Sequence, residues 1–213
     1  SACLVGSEMC IRDRSIFQKE IAGECMDRIR QLYKGFSNEY SVLESALLNP
    51  NMVLHTVGSI MSIPRIEYSK GNFCMYREAY ARGNDATFKV MLDLDKEKRK
   101  VLERLGCNPI DIFVAGGFLG DPIKSFYEYS ESKDRAISPT SVRSRYITED
   151  VSQGLILLES IAKRIGVDVP ITTSLINISS VALGEDFREN GRTIQRLGCE
   201  KYIEELCETR YGY

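Results

Sequence analysis

Apolar residues recur at intervals of three and four along most of the chain, which is the signature of helices with one buried face. From Ser15 to Lys34 the apolar positions are Phe17, Ile21, Cys25, Ile29 and Leu32, with charges between them and Gly35 to end the run. A second short helix is expected from Asn38 to Leu48. Asn49-Pro50 stops it, because the residue before a proline avoids the α region. Met52 to Ile63 is apolar, holds the chain's one histidine, and lies between Pro50 and Pro64. Its period fits a buried helix or a pair of strands, and its helical neighbours favour the helix. Gly71-Asn72 marks a turn.

Asp85 to Leu105 is the longest helical pattern. Phe88, Met91, Leu94, Val101 and Leu105 form its stripe, interrupted at Lys98. Asp93, Asp95, Glu97, Lys98 and Arg99 read as a solvated flank with i,i+4 pairs such as Asp95 to Arg99. Gly106 is the stop. Gly116, Gly117 and Gly120 lack the spacing of a phosphate loop and read as a bend. A short helix carries Phe126, Tyr127 and Tyr129. Pro139 marks a helix start, and Asp150 reads as the N-cap of a helix with Val151, Leu155, Leu158, Ile161 and Ile165 on one side. Pro170 opens another helix, stopped at Gly184, and Glu200 to Thr209 forms the last. No internal repeat appears, so the reading is one all-α domain.

Composition narrows the function. The 213 residues are 43% hydrophobic and 27% charged, which is globular and neither disordered nor collagen-like. A net charge of −2 gives no basic field for nucleic acid or anionic lipid. The apolar run Gly154 to Leu158 falls far short of the ~20 residues of a membrane span. Seven cysteines, none in C-x-x-C spacing, point to a reducing, cytoplasmic setting and to small buried hydrophobes. One histidine and no H-E-x-x-H motif leave no basis for a metal site.

Residues 1–14 show no signal-peptide shape and no clear period. Leu4 to Asp13, LVGSEMCIRD, resembles the translation of an adapter used in sequencing-library preparation. The expectation is a non-native tail, with Cys3 and Cys10 carrying no meaning and the natural protein starting upstream of Ser15.

Two places can carry chemistry. An imidazole is the side chain that exchanges protons near neutral pH without tuning. His55 could therefore work as acid or base, or be a core histidine bonded to a carbonyl. The run Arg143-Ser144-Arg145-Tyr146-Ile147-Thr148-Glu149-Asp150 sets two arginines, a tyrosine and two adjacent carboxylates at the entry to an apolar helix. Arg145 offers a planar fork that matches a carboxylate. Asp150 could cap the helix, orient a histidine, or both.

Four segments, in order, resemble the opine dehydrogenases. Leu48-Asn49-Pro50-Asn51-Met52-Val53-Leu54-His55 is similar to the Asn-rich stretch before that family's catalytic histidine. Phe73 to Tyr80 and then Leu92-Asp93 through Lys98-Arg99 are similar to its aromatic segment and the helix that follows. Arg145-Tyr146-Ile147-Thr148-Glu149-Asp150-Val151 matches its R-Y-x-x-E-D-V motif. Gly191-Arg192-Thr193 with Leu197-Gly198 matches its terminal G-R-T-x-x-x-L-G motif. The resemblance covers roughly residues 35 to 200.

The resemblance implies the α-helical substrate domain of octopine and nopaline type dehydrogenases, of the 6-phosphogluconate-dehydrogenase C-terminal kind. Such enzymes condense an α-keto acid with an amino acid and reduce the imine with NADH or NADPH, a CH–NH oxidoreductase reaction. His55 takes the place of the catalytic acid/base and Asp150 that of its carboxylate partner. Arg145 takes the place of the arginine that holds a substrate carboxylate. Asn49 and Asn51 fall in the stretch that contacts cofactor or substrate. No role follows for Arg192 or Glu149. A homodimer is compatible with the resemblance.

The sequence departs from the family in two ways. Thr56 stands where many relatives have proline. No G-x-G-x-x-G precedes the domain, so residues 15–35 are expected to be the end of a missing Rossmann domain, with 36–213 the helical substrate domain. The fragment alone is expected to be inactive. The rival readings are a 2-hydroxyacid or ketopantoate-type NAD(P)-dependent reductase, and a non-catalytic helical interaction domain.

Overall fold

A computed structural model describes residues 13–14, 19–32, 37–38, 41–118, 120–133 and 138–211. Two short strands, β1 (Asp13–Arg14) and β2 (Ser37–Asn38), pair in parallel on either side of α1 (Lys19–Leu32). All other regular structure among the described residues is helical. In order come α2 (Val42–Leu47), α3 (Asn51–Ile60), α4 (Ile63–Ser69), α5 (Met75–Tyr80), α6 (Asp85–Arg104), α7 (Ile112–Ala115) and α8 (Pro122–Glu131). A long helix follows in three parts: α9 (Arg145–Glu149), a π-helical segment (Asp150–Leu155) and α10 (Ile156–Ile165). The chain ends with α11 (Pro170–Leu183), α12 (Phe187–Asn190), α13 (Ile194–Leu197) and α14 (Glu200–Tyr211). Residues 1–12, with Cys3 and Cys10, lie outside the described residues. Among the described residues no helix is long and apolar enough to cross a membrane.

Local chemistry explains the boundaries. Ser41 Oγ accepts the Glu44 N–H at 3.0 Å and starts α2. Pro122 and Pro170 occupy first turns, where a missing N–H costs nothing. Gly166 and Gly184 close α10 and α11 in the left-handed conformation, with φ of 70° and 63°.

Helix α3 is the centre of the fold. Every residue from Met52 to Ile60 is buried, as expected of a helix that is apolar all round. Around it pack α5, α6, α11, α9 and the π segment. Gly58 lets α5 come close, since a Cβ there would sit 3.1 Å from Met75 Cε and Tyr80 Cε2. The Tyr80 hydroxyl then donates to the Leu54 carbonyl at 2.6 Å. Phe126 closes the far side of that layer against Tyr80, Phe88, Phe113 and Phe118, with ring centroids 5.2–5.9 Å apart.

Three expectations from the sequence give way. Asp150 is not an N-cap: the helix begins at Arg145 and Asp150 lies inside it. Pro139 starts no helix. The charge run on α6 is not a solvated flank, for Asp95, Glu97 and Lys98 are buried. Lys98 Nζ lies 2.8 Å from Asp95 Oδ1. Burial pulls the Lys98 ammonium below its ordinary value, and the Asp95 charge opposes that pull. Of the described cysteines only Cys107 is fully buried; Cys25, Cys74, Cys199 and Cys207 are partly exposed.

Glu97 has a definite task. Its carboxylate accepts the N–H groups of Ile171 and Thr172 at 2.7 and 2.8 Å and the Thr172 hydroxyl at 2.7 Å. These are the free donors of the first turn of α11, which Val169 at the cap position cannot satisfy. A residue of α6, 74 positions before Ile171, therefore caps α11, and its charge complements the helix dipole. Glu97→Ala is expected to cost about 3 kcal/mol of unfolding free energy, since buried donors lose a charged acceptor. Urea unfolding of the variant measures this, and a change within ~0.5 kcal/mol would contradict the capping role.

Candidate active site

His55 sits one turn into α3. The helix starts at an Asx turn in which Asn49 Oδ1 accepts the Asn51 N–H at 3.0 Å. Asn49 is exposed and Asn51 half-buried, and Asn51 precedes His55 by one helical turn. The imidazole is 6% exposed, and its Nδ1 lies 2.8 Å from Asp150 Oδ2. A carboxylate only accepts, so the proton of this bond belongs to Nδ1. Tyr146 lies flat on the same ring, with centroids 3.8 Å apart and planes 8° from parallel. Tyr76 of α5 approaches edge-on at 6.4 Å.

The spacing of Tyr146 and Asp150 is i,i+4. One face of a helix thus supplies both the ring that stacks on the imidazole and the carboxylate that binds it. The close approach of the two helices depends on Gly154. A Cβ there would fall 2.7 Å from Met52 Cγ and 3.1 Å from Met52 Cβ. Glycine also suits the wide turn in which it lies. Here the Asp150 N–H reaches back to Arg145 O, five residues earlier. In a regular α-helix residues five apart stand about 140° apart around the axis. Widening the turn lessens that angle and draws Arg145 toward the side of Asp150. Such π turns recur at functional sites.

Burial raises the Tyr76 phenol well above its ordinary value, aided by Tyr129 and Tyr146 beside it. It keeps its proton throughout the physiological range. Burial also raises Tyr146, and the Arg145 charge acts against that rise. Arg145 is therefore near enough to feel the stacked ring. Its side chain is 64% exposed and lies 4.0 Å from Glu149, too long and too solvated to fix it in place. The structure thus joins His55 and Asp150 directly. Tyr146 covers the imidazole, Arg145 lies next to it in sequence with an exposed guanidinium, and Asn51 is one turn away.

The pattern of residues and the geometry converge on a family. The model of the NAD/NADP octopine/nopaline dehydrogenase alpha-helical domain matches residues 38–183. The chain belongs to this family. Among curated relatives, an opine dehydrogenase of Arthrobacter sp. (strain 1C) is 25% identical over 181 residues, covering 83% of this chain and 49% of the relative. Vitopine synthase of Allorhizobium ampelinum is 28% identical over 153 residues, 70% of this chain and 42% of its own. Protein ocs of Agrobacterium tumefaciens is 27% identical over 157 residues, 71% and 43% respectively. The chain spans half or less of the length of these relatives.

The tyrosine stack on His55 was not foreseen from the sequence. The signal was present, since Tyr146 and Asp150 are a helical turn apart within one motif. The π turn had no such signal. Gly154→Ala tests the close approach. A helical Gly→Ala change gains about 1 kcal/mol in propensity, whereas forcing a methyl into a packed contact costs about 1–3 kcal/mol. A net loss of up to about 2 kcal/mol is expected in chemical denaturation; a net gain would mean that α3 and the π segment are not in tight contact.

Proposed function

We propose that this chain is the substrate and proton-transfer domain of an NAD(P)-dependent opine dehydrogenase, an oxidoreductase that reductively joins an α-keto acid and an amino acid. The observation that carries the reading is the buried 2.8 Å bond between His55 Nδ1 and Asp150 Oδ2. A non-catalytic helical module would have no use for such a pair beside a tyrosine face and an unspent arginine.

Asp150 holds the imidazole in one tautomer and stabilises the imidazolium when it forms. With Nδ1 committed to Asp150, Nε2 is the atom that exchanges protons with substrate. Protonated, it gives its proton to the keto oxygen, so that the oxygen leaves as water when amine and keto acid condense. Neutral, it takes a proton back in the reverse direction. Arg145 pairs its guanidinium fork with the carboxylate of the keto acid. Its exposure lets it close on the substrate, and Tyr146 gives the reacting carbon a flat apolar wall. The low dielectric around Tyr76 and Tyr146 strengthens the interaction of His55 with Asp150.

NADH or NADPH, when bound, supplies the hydride. The polar amides of Asn49 and Asn51 fit the carboxamide end of such a cofactor. No glycine-rich phosphate cradle occurs along this chain, so its phosphates fall to another part of the protein. A cytoplasmic setting agrees with the described cysteines, all of which are free thiols.

In the intact enzyme His55→Ala is expected to lower kcat by about 10²–10⁴-fold. Arg145→Ala should chiefly raise KM for the keto acid. Steady-state rates with varied keto acid and amine decide both; wild-type turnover by the His55 variant would remove the assignment. The 213-residue chain by itself should oxidise neither NADH nor NADPH in the presence of pyruvate and amino acids, and sustained oxidation would overturn the division of labour.

A further inference from the structure

The G-R-T segment has no task in the chemistry above, although it lies in the family's terminal motif. Its place in the fold gives it one. We infer that the backbone N–H of Arg192 is a positioning group for Asp150, acting as a strap that holds the π turn open. This deepens the reading of His55 and Asp150 as the proton-transfer pair and rests on it.

The π turn displaces a carbonyl. In a regular α-helix the Ile156 N–H would bond to Ser152 O. Here it bonds to Val151 O, five residues back. Ser152 O, on a half-buried residue, loses its helical donor, and a carbonyl at the helix–segment contact needs a replacement. The Arg192 N–H supplies it at 2.7 Å, from 40 residues further along the chain. The Arg192 side chain is exposed and takes no part.

Gly191 makes the contact feasible. A Cβ at that position would fall 2.5 Å from Phe187 O and 2.8 Å from Ile156 Cγ1 and Cγ2. Any side chain there lifts the segment off the helix. Further bonds tie the segment down on both sides. The Ile194 N–H donates to Ser160 Oγ at 3.0 Å, and Arg196 Nη1 donates to Gly191 O at 2.8 Å. Thr193 Oγ1 accepts the Arg196 N–H at 3.3 Å and starts α13.

The strap selects between two helix geometries. Without an outside donor, Ser152 O recovers the Ile156 N–H and the turn tightens to α. Tightening by one residue turns everything before residue 152 by about 100° relative to α10. Tyr146 and Asp150 would then leave the His55 face together. The strap thus requires a missing Cβ at 191 and a backbone N–H at 192, and the guanidinium is dispensable for this role.

The lone histidine makes the test direct. With ¹⁵N-histidine label, the chain shows one pair of imidazole nitrogens, whose shifts report which nitrogen carries the proton. The unmodified chain should show a protonated Nδ1, and Asp150→Ala should show the mixed tautomers of an unpaired ring. Arg192→Ala, which keeps the N–H, should match the unmodified chain. Arg192→Pro, which deletes it, and Gly191→Ala, which lifts it, should match Asp150→Ala while circular dichroism stays helical. A folded Arg192→Pro chain with the original imidazole shifts overturns the strap. Should that variant fail to fold, amide exchange in the unmodified chain decides. Protection of the Arg192 N–H by about a hundredfold or more supports the strap, and exchange at the free rate overturns it. None of these readouts involves turnover. Failure of His55→Ala to impair the intact enzyme would remove the chemical reading and leave the strap standing.

Discussion

A histidine placed in an apolar interior must find a partner for its ring nitrogens, and the structure around His55 is organised to bring it a carboxylate. Neither group is tolerable there alone, because a buried charge without a partner is strongly destabilising. Their union needs two helices closer together than ordinary side chains permit. Gly154 grants that approach on one helix, where Met52 fills the space a methyl would take. Gly58 does the same on the other face of α3, against Met75 and Tyr80. The histidine helix is thus gripped from two sides at positions without a Cβ, and the imidazole has little freedom to turn. In the proposed proton transfer such restraint would help, because a nitrogen already aimed needs no reorientation.

The ring's environment divides the labour among neighbours of different chemistry. Asp150 fixes the plane and tautomer, Tyr146 covers one face, and Tyr76 closes an edge. Arg145 stays outside this closed group, joined to it through its field on the Tyr146 phenol. The buried pair is dry, and the Arg145 guanidinium is exposed to solvent.

Much of this was legible in the residues. The spacing of Phe88, Met91, Leu94 and Val101 gave α6 to within a residue, and Pro170 with Gly184 bracketed α11. His55 and Asp150 were paired through likeness to a family. What escaped notice was set by partners distant in sequence. Lys98 looked like a flaw in an apolar stripe and Glu97 like a solvated charge. Lys98 is paired with Asp95 of its own helix under the layers packed on α6, and Glu97 reaches the first turn of α11, contacts that no local period reveals. Asp150 resembled a cap because an acidic residue preceding an apolar run is the usual sign of one. The π turn that places it inside the helix depends on Gly154 and on a donor 40 residues away. Short helices such as α12 and α13 are too brief to show a period.

Glu97 also bears on how the molecule comes apart. Helix α11 has no capping side chain of its own, so its first turn borrows a carboxylate from the middle of α6. Melting α11 from that end would strand an anion in the interior, and loosening α6 would unpin α11 in turn. The two are therefore bound into one cooperative unit of unfolding, and α3 lies against both. Partial openings that spare this unit can fray α1 or α14 at the periphery. An excursion that reaches the histidine must disrupt the whole block, which places the His55–Asp150 pair at the slow-exchanging end of the molecule's spectrum of motions.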